Sequence, residues 1–346
     1  MNQAVFDWQA GLFMVAVFLL GAALSFFGSN VALRLARRSG MVVQPGARQS
    51  HTIATPTGGG LGLVFSLIVT TIFISVYVPL QGFWWLHVLP GVVVLAMTGW
   101  FDDKRHVSSL LRLLIQLAVS LWLLGFVCLQ NSVSSILMCA GIMGAMIWLM
   151  NLYNFMDGSD GMAGFQGVFA GLVMAVLFIL GGELAMAMLS VAVAAVCAGF
   201  LPLNFPKAQI FMGDVASVPL GFIFASIAVY GLYSGVISAT LSVLIMSVFI
   251  IDASLTLIAR VFAGERWYTA HNQHVYQRLI AHGWSHSRVL LLYQTINVIL
   301  VLPAIVLAAM YTRYANITAG MTLLILAACW FAASRKLGMR VARRLV

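Results

Sequence analysis

Apolar residues along this chain fall into eleven blocks, near 11–33, 61–79, 86–101, 110–130, 134–150, 164–181, 183–203, 216–233, 236–260, 289–311 and 317–334. About 20 apolar residues suffice for a helix to cross the hydrocarbon core of a bilayer. The blocks are continuously apolar rather than alternating, which predicts helices and excludes a membrane barrel. The third block is short, and tight turns join the sixth to the seventh and the eighth to the ninth. Pro303 lies inside the tenth block and predicts a kink there. The first block is span-length and Met1 to Ala10 carries no Lys or Arg, so no cleavable signal peptide is expected. The predicted fold class is an all-α polytopic integral membrane protein. Residues 1–346 are expected to form a single transmembrane domain, with no internal repeat or separate soluble domain.

Composition agrees with the pattern. Apolar residues make up 62% of the chain, charged residues 8%, and the mean hydropathy is +1.02. A soluble domain carries about 25% charged residues. The basic residues sharpen the picture. Seventeen of the eighteen Lys and Arg fall on one side, in alternate loops, at the block ends beside them or in the C-terminal tail, with Arg313 the exception. The positive-inside rule makes that side cytoplasmic, with the N-terminus outside and the C-terminus inside. The net charge of +9 suits an anionic membrane surface or anionic substrates. No basic domain stands apart from the membrane, so nucleic acid is not an expected partner. Cys128, Cys139, Cys197 and Cys329 lie in or beside the blocks without a CxxC, and read as packing thiols. A bridge between Cys128 and Cys139 stays open.

Against that apolar background the stretch Asn151–Gly164 stands out. It holds Asn151, Asn154, Asp157 and Asp160 at spacings of three, with Gly158, Gly161 and Gly164 on the same spacing. That spacing brings neighbours together if the segment is helical. Carboxylates at the edge of hydrocarbon are costly and usually pair, bind ions or line a wet cavity. The bland alternative is a polar loop with helix-cap residues. Other cytoplasmic loops carry similar signals. Arg48 and His51 precede Gly58-Gly59-Gly60, a helix entry whose backbone N–H groups suit an anion. Asp102-Asp103 ends the third block, and two adjacent carboxylates suit Mg²⁺ with phosphate and water. Lys207 is placed to meet a phosphate, and Gly213-Asp214 opens the eighth block. Asp252 lies inside the ninth block, roughly two turns before Arg260. His271, His274 and Arg278 share one face if helical. Zinc is disfavoured there, since no HExxH or Cys cluster accompanies the pair.

Taken together, loops 34–60, 101–112, 151–164, 204–217 and 260–288 gather carboxylates among cations at one membrane face, the composition of a Mg²⁺–polyphosphate site. A transporter with an acidic cluster is the alternative. It would place its polar residues near mid-membrane, often with repeats and broken helices.

The segments Thr55-Pro-Thr-Gly-Gly-Gly60, Phe101-Asp-Asp103, Asn151–Gly161, Asn204-Phe-Pro…Phe-Met-Gly-Asp214 and the His271/His274 loop resemble the polyprenyl-phosphate N-acetylhexosamine-1-phosphate transferases. The resemblance covers 48–278, and the His-x-x-His-x-x-Gln-Arg pattern looks closer to the O-antigen-initiating branch than to the peptidoglycan translocase. Ala216 departs from the pattern, where Gly is usual before Ser217, and His106 stands where another polar or basic residue is common. The resemblance implies a bacterial inner-membrane enzyme with its active site facing the cytoplasm. It implies a UDP-activated N-acetylamino sugar as donor, undecaprenyl phosphate as acceptor, UMP as leaving product and Mg²⁺ as cofactor, with Mn²⁺ an alternative. A homodimer is open. By this resemblance Asp214 and Asp157 hold the metal, and Asp102, Asp103 and His274 are catalytic. Asn151, Asn154, Asp160, His51, Arg48, Lys207, His271, Arg278 and Asp252 bind substrate. A phosphate monoester has a second pKa near ~6. The acceptor is therefore largely dianionic already, which favours direct displacement over a covalent aspartyl intermediate.

Overall fold

The computed structural model describes residues 8–43, 54–80, 82–105, 107–130, 136–265 and 271–338. Arg48, His51 and His106 lie outside the described residues, as does the side chain of Cys128 and so the bridge considered for it. The chain is an all-α polytopic membrane protein. Its long helices are α1 (Trp8–Ser39), α2 (Gly60–Tyr77), α3 (Phe83–Arg105), α4 (Ser109–Gln130), α5 (Ile136–Met156), α6 (Met162–Leu180), α7 (Leu184–Asn204) and α8 (Asp214–Ser234). There follow α9 (Ala239–Ile245), α10 (Ser247–Phe262), the short α11 (Val275–Ala281), α12 (His286–Met310) and α13 (Ala315–Lys336). Among the described residues, nine helices are long and apolar enough to cross a membrane. The pair α9–α10, bent by 79°, makes a tenth if it is one span, and α4 is apolar over Ser109–Gly125. Each predicted block thus has a helical counterpart. The prediction missed the break in the ninth, where Met246 separates α9 from α10.

Helices α7 and α8 form the centre of the bundle. In α7 the run Ser190, Ala192, Ala194, Ala195 and Gly199 is buried, and such small residues let helix backbones approach closely without a soluble core's driving force. Helices α1, α2 and α6 pack around α7, while α3 and α5 pack on α8. Burial of Met150, Tyr153, Phe222, Phe224 and Phe249 fills the space beside them. Around Pro303 the helix stays one span, and the local change is in its hydrogen bonding. Proline lacks an N–H and clashes with the carbonyl four residues back, and α12 widens into a π turn over Asn297–Val301 just before it.

Loops at one end of the bundle are stitched to each other. Phe211 N–H donates to Pro56 O (2.8 Å), while Gly59 and Gly60 N–H donate to Phe211 O and Met212 O, both at 3.0 Å. The glycine triplet therefore spends two of its N–H groups on the 211–212 backbone, and the anion cradle expected from the sequence does not form with them. Asn204 anchors the same layer, accepting from Gly161 N–H (2.8 Å) and donating to Ile210 O (3.0 Å).

Candidate active site

Four carboxylates meet where α3, α5 and α8 end. Asp102 and Asp103 lie in the last turn of α3, Asp157 follows the end of α5, and Asp214 opens α8. The approach is close because two positions lack side chains. A Cβ on Gly99 would fall on the carbonyl group of Asp214. Gly213 has φ of 75°, a region that L side chains avoid, and its Cβ would strike the carboxylate of Asp103. Asp214 N–H donates to Asp103 Oδ1 (3.3 Å), so one carboxylate caps the helix that the other begins.

Polar side chains from neighbouring helices hold the cluster. Asn154 Nδ2 donates to Asp214 Oδ1 (2.7 Å) and to Ser217 Oγ (2.9 Å). Asn151, one turn earlier on α5, donates to Gln116 Oε1 (2.7 Å). Arg112, from the first turn of α4, donates through Nη1 to Asp102 Oδ2 (2.8 Å) and Asp214 Oδ2 (3.2 Å). Asp102 Oδ1 accepts from Val107 N–H (2.6 Å), so both of its oxygens are engaged. Among the described residues, the buried Oδ2 of Asp103 has no hydrogen-bond partner. Asp157 is half-buried, and burial, reinforced by the charges of Asp214 and Asp103, pushes its carboxyl well above the usual range.

This donor set fits a hard divalent cation. Among the described residues, no group of three or more His, Cys, Asp or Glu is placed to hold a metal ion. Mg²⁺ does not need one, since it takes one or two carboxylates and completes its octahedron with water and phosphate oxygens. Asp214 and Asp103 are adjacent, Asp103 carries an orphaned oxygen, and Asp157 feels the charge of both. Such crowding of negative charge is what a cation would relieve.

The remaining predicted residues divide into near neighbours and distant ones. His274 is buried, its ring stacked at 6.1 Å on Phe155 and 5.8 Å on Tyr276, and His271 sits 4.8 Å away. Tyr276 Oη donates to Phe155 O (2.9 Å), which fastens this segment to the end of α5. The helix begins only at Val275, so His271, His274 and Arg278 do not form the single helical face expected. Burial lowers the pKa of both imidazoles, His271 to about 3, with each other's charge and Arg260 adding for His271. At neutral pH they offer neutral N–H donors. Arg278 is turned toward Gln273 O (3.2 Å) and Leu337 O (3.4 Å), and burial lowers its pKa.

Asp252 is nearly inaccessible. Its Oδ1 accepts from Val275 N–H (2.9 Å) and its Oδ2 from Tyr293 Oη (2.6 Å) and Tyr276 N–H (3.4 Å). It therefore caps α11 from below instead of facing the acidic cluster. Asp160 also turns away, accepting from Ala208 N–H (3.0 Å) while its own N–H donates to His286 Nδ1 (3.2 Å). Lys207 is exposed and lines a groove of about 400 Å³ with Arg37, Val42, Thr55, Pro56 and Gln209, none of which belongs to the carboxylate cluster. The structure thus brings together Asp102, Asp103, Asp157, Asp214, Asn151 and Asn154, with His274 beside them. It does not bring Asp160, Asp252, Lys207 or Arg278 into that cluster.

Arg112, Ser217 and Gln116 escaped the sequence reading. Arg112 carried a signal, being a charge inside the fourth apolar block. With Gln116 and Ser120 it forms a stripe at spacings of four, the last two buried, which marks the inward face of α4.

A helical membrane bundle with carboxylates, amides and one arginine gathered at one end suits the positioning and charge neutralisation of phosphate groups. The chain belongs to glycosyl transferase family 4, whose model matches residues 85–232, a span that contains all four clustered carboxylates. It is 28% identical to the probable undecaprenyl-phosphate N-acetylglucosaminyl 1-phosphate transferase of Bacillus subtilis, over 85% of each chain. It is 29% identical to the decaprenyl-phosphate N-acetylglucosaminephosphotransferase of Mycobacterium tuberculosis, over 81% of this chain and 78% of that one. The phospho-N-acetylmuramoyl-pentapeptide-transferase of a Synechococcus strain is 31% identical, over 62% of this chain and 67% of that one.

Proposed function

We propose that this protein transfers an N-acetylhexosamine 1-phosphate from a UDP-sugar to undecaprenyl phosphate or a related polyprenyl phosphate, releasing UMP. The observation that carries the reading is the convergence of Asp102, Asp103, Asp157 and Asp214 around Asn154 and Arg112 at one end of a membrane bundle. Phosphoryl transfer asks little covalent chemistry of a protein and much positioning and charge neutralisation. In the proposed step an oxygen of the lipid phosphate attacks the sugar-bearing phosphorus of the donor. The bond from that phosphorus to the bridging oxygen breaks, and UMP departs with that oxygen. Mg²⁺, held by Asp214 and Asp103 with Asp157 beside them, would neutralise charge on the pyrophosphate. Asn154 and Ser217 orient the Asp214 carboxylate. Arg112 balances the Asp102–Asp214 pair and is placed to meet a phosphate oxygen.

Asp102 has both oxygens bonded, so it acts by positioning Arg112 and the start of α4 rather than as a free base. Asp103 has the open oxygen and is the better candidate to orient the attacking phosphate or complete its deprotonation. The neutral imidazoles of His271 and His274 supply N–H donors next to Phe155, beside the end of α5. The cytoplasm is the side for this face, since the cationic loops surround it. A start-of-pathway role in O-antigen or other envelope polysaccharide synthesis is the biological reading of such a product.

Purified protein, polyprenyl phosphate and a panel of UDP-GlcNAc, UDP-GalNAc and 6-deoxy donors test the proposal. Release of UMP with a lipid-pyrophosphoryl-sugar of matching mass is expected for at least one donor. Absence of both across the panel, with folded protein and Mg²⁺ present, would contradict it.

A further inference from the structure

Two buried amides sit deep in the bundle, away from the acidic cluster. Gln166 on α6 and Asn297 on α12 are 1% and 0% exposed. An isolated amide in such surroundings is costly unless its hydrogen bonds are made. Asn297 Nδ2 donates to Gln166 Oε1 (2.8 Å), and Gln166 Nε2 donates to Ile245 O (3.1 Å). Ile245 is the last residue of α9, at the 79° break before α10. A helix end leaves carbonyls without intrahelical partners, and in hydrocarbon such a group must find one within the protein. Gln166 is that partner.

The break has a consequence further along. Six residues past Met246, α10 carries Asp252, which caps α11 through Val275 and Tyr276. Helix α12 touches both ends of this arrangement. Tyr293 donates to Asp252 (2.6 Å), and Asn297, one turn on, holds Gln166 (2.8 Å). Residues four apart share a helix face. One face of α12 therefore fixes the bend at its vertex and again two turns along α10.

We propose that Gln166 and Asn297 are positioning residues: they set the angle between α9 and α10, and through Asp252 they set where His271 and His274 stand beside the carboxylate cluster. The inference rests on the proposed transferase reading only for its kinetic arm. An error of about 1 Å far from the chemistry can cost ~100-fold in rate, so a loosened bend is read out as lost turnover. Gln166→Met and Asn297→Leu keep approximate volume and remove the hydrogen bonds.

The test pairs kinetics with a distance measurement on the full-length chain in nanodiscs. Spin labels at Leu172→Cys on α6 and Ile258→Cys on α10, both exposed, report the bend in a cysteine-free background. The expected result for Gln166→Met is a broadened or shifted label distance. Its kcat should fall about tenfold or more per folded molecule, with the donor KM changing by less. Asn297→Leu, which leaves the Gln166–Ile245 bond in place, should show a smaller effect in the same direction. An unchanged distance in Gln166→Met overturns the proposal whatever the activity. A changed distance with unchanged kcat overturns its link to catalysis. If the wild type itself releases no UMP, the transferase reading fails, while the distance result still decides whether the amides set the bend.

Discussion

Arg112 shows how much one side chain can contribute when it stands between two acids. A single guanidinium nitrogen is shared between Asp102 and Asp214 at 2.8 and 3.2 Å. Removing one preorganised charge-stabilising donor from an active site commonly costs about 10²–10³ in kcat. Arg112→Ala is expected to lower turnover by about that factor. Without Mg²⁺ it should also lower the unfolding temperature, because two close carboxylates lose their shared counter-charge. Adding Mg²⁺ should narrow the gap to wild type, since the dication supplies the missing charge. A gap of the same size with and without Mg²⁺ would show that Arg112 does not neutralise this pair. Asp103 makes the complementary case. Its orphaned oxygen is expected to matter for chemistry and little for folding, so Asp103→Asn should lose activity at least tenfold while unfolding within a few degrees of wild type. Near-normal turnover in that variant would remove Asp103 from the reaction.

Short segment α11 and the loop before it show the same logic for an element. Burial lowers the pKa of His271 and His274, so the folded chain keeps them neutral where the unfolded chain, with a pKa near ~6.5, takes up protons. The unfolded state then binds more protons as pH falls below that value. Stability must therefore drop with falling pH from about 6.5 downward, toward about 3 for His271. Thermal unfolding between pH 7.5 and 5 should show this decline, and His274→Phe, which keeps an aromatic ring between Phe155 and Tyr276, should flatten it. An identical pH slope in the variant would mean that His274 does not titrate on unfolding. This segment also marks where sequence reading stops. Asp252 announced itself as a charge within an apolar block, but apart from Thr256, one turn on, the donors that satisfy it come from residues 275, 276, 293 and 330, distant in the chain. Spacing along a helix says nothing of such partners. The break at Met246 was equally hidden, because apolar residues continue on both sides of it. By contrast, Asp102, Asp103, Asp157 and Asp214 were legible, since carboxylates beside hydrocarbon are too costly to lack a purpose.

Seen whole, the molecule places its polar chemistry at one end of an apolar bundle, which favours surface phosphate chemistry over transport through the midplane. One feature of the transporter alternative is present, the broken pair α9–α10. Its freed carbonyl is taken up by Gln166, and the chain has no internal repeat. The basic loops carry the proposal that the acidic face is cytoplasmic. In intact cells, with the four native cysteines replaced, a cysteine at Ser109 should label only after permeabilisation and one at Thr312 should label from outside. Labelling of position 109 in intact cells would invert the topology and detach the acidic face from the cytoplasmic UDP-sugar pool. The central claim is that this face is a metal–pyrophosphate site with Asp214 as its main ligand. Asn at this position keeps size and helix-capping ability but removes the charge. The direct measurement is the initial rate of UMP release against Mg²⁺ concentration, for wild type and Asp214→Asn in parallel. A saturable Mg²⁺ dependence in the wild type and a rate at least 100-fold lower in the variant, little restored by excess metal, is the expected result. The same rate and the same Mg²⁺ dependence in both proteins would contradict it and leave Asp214 as no more than the cap of α8.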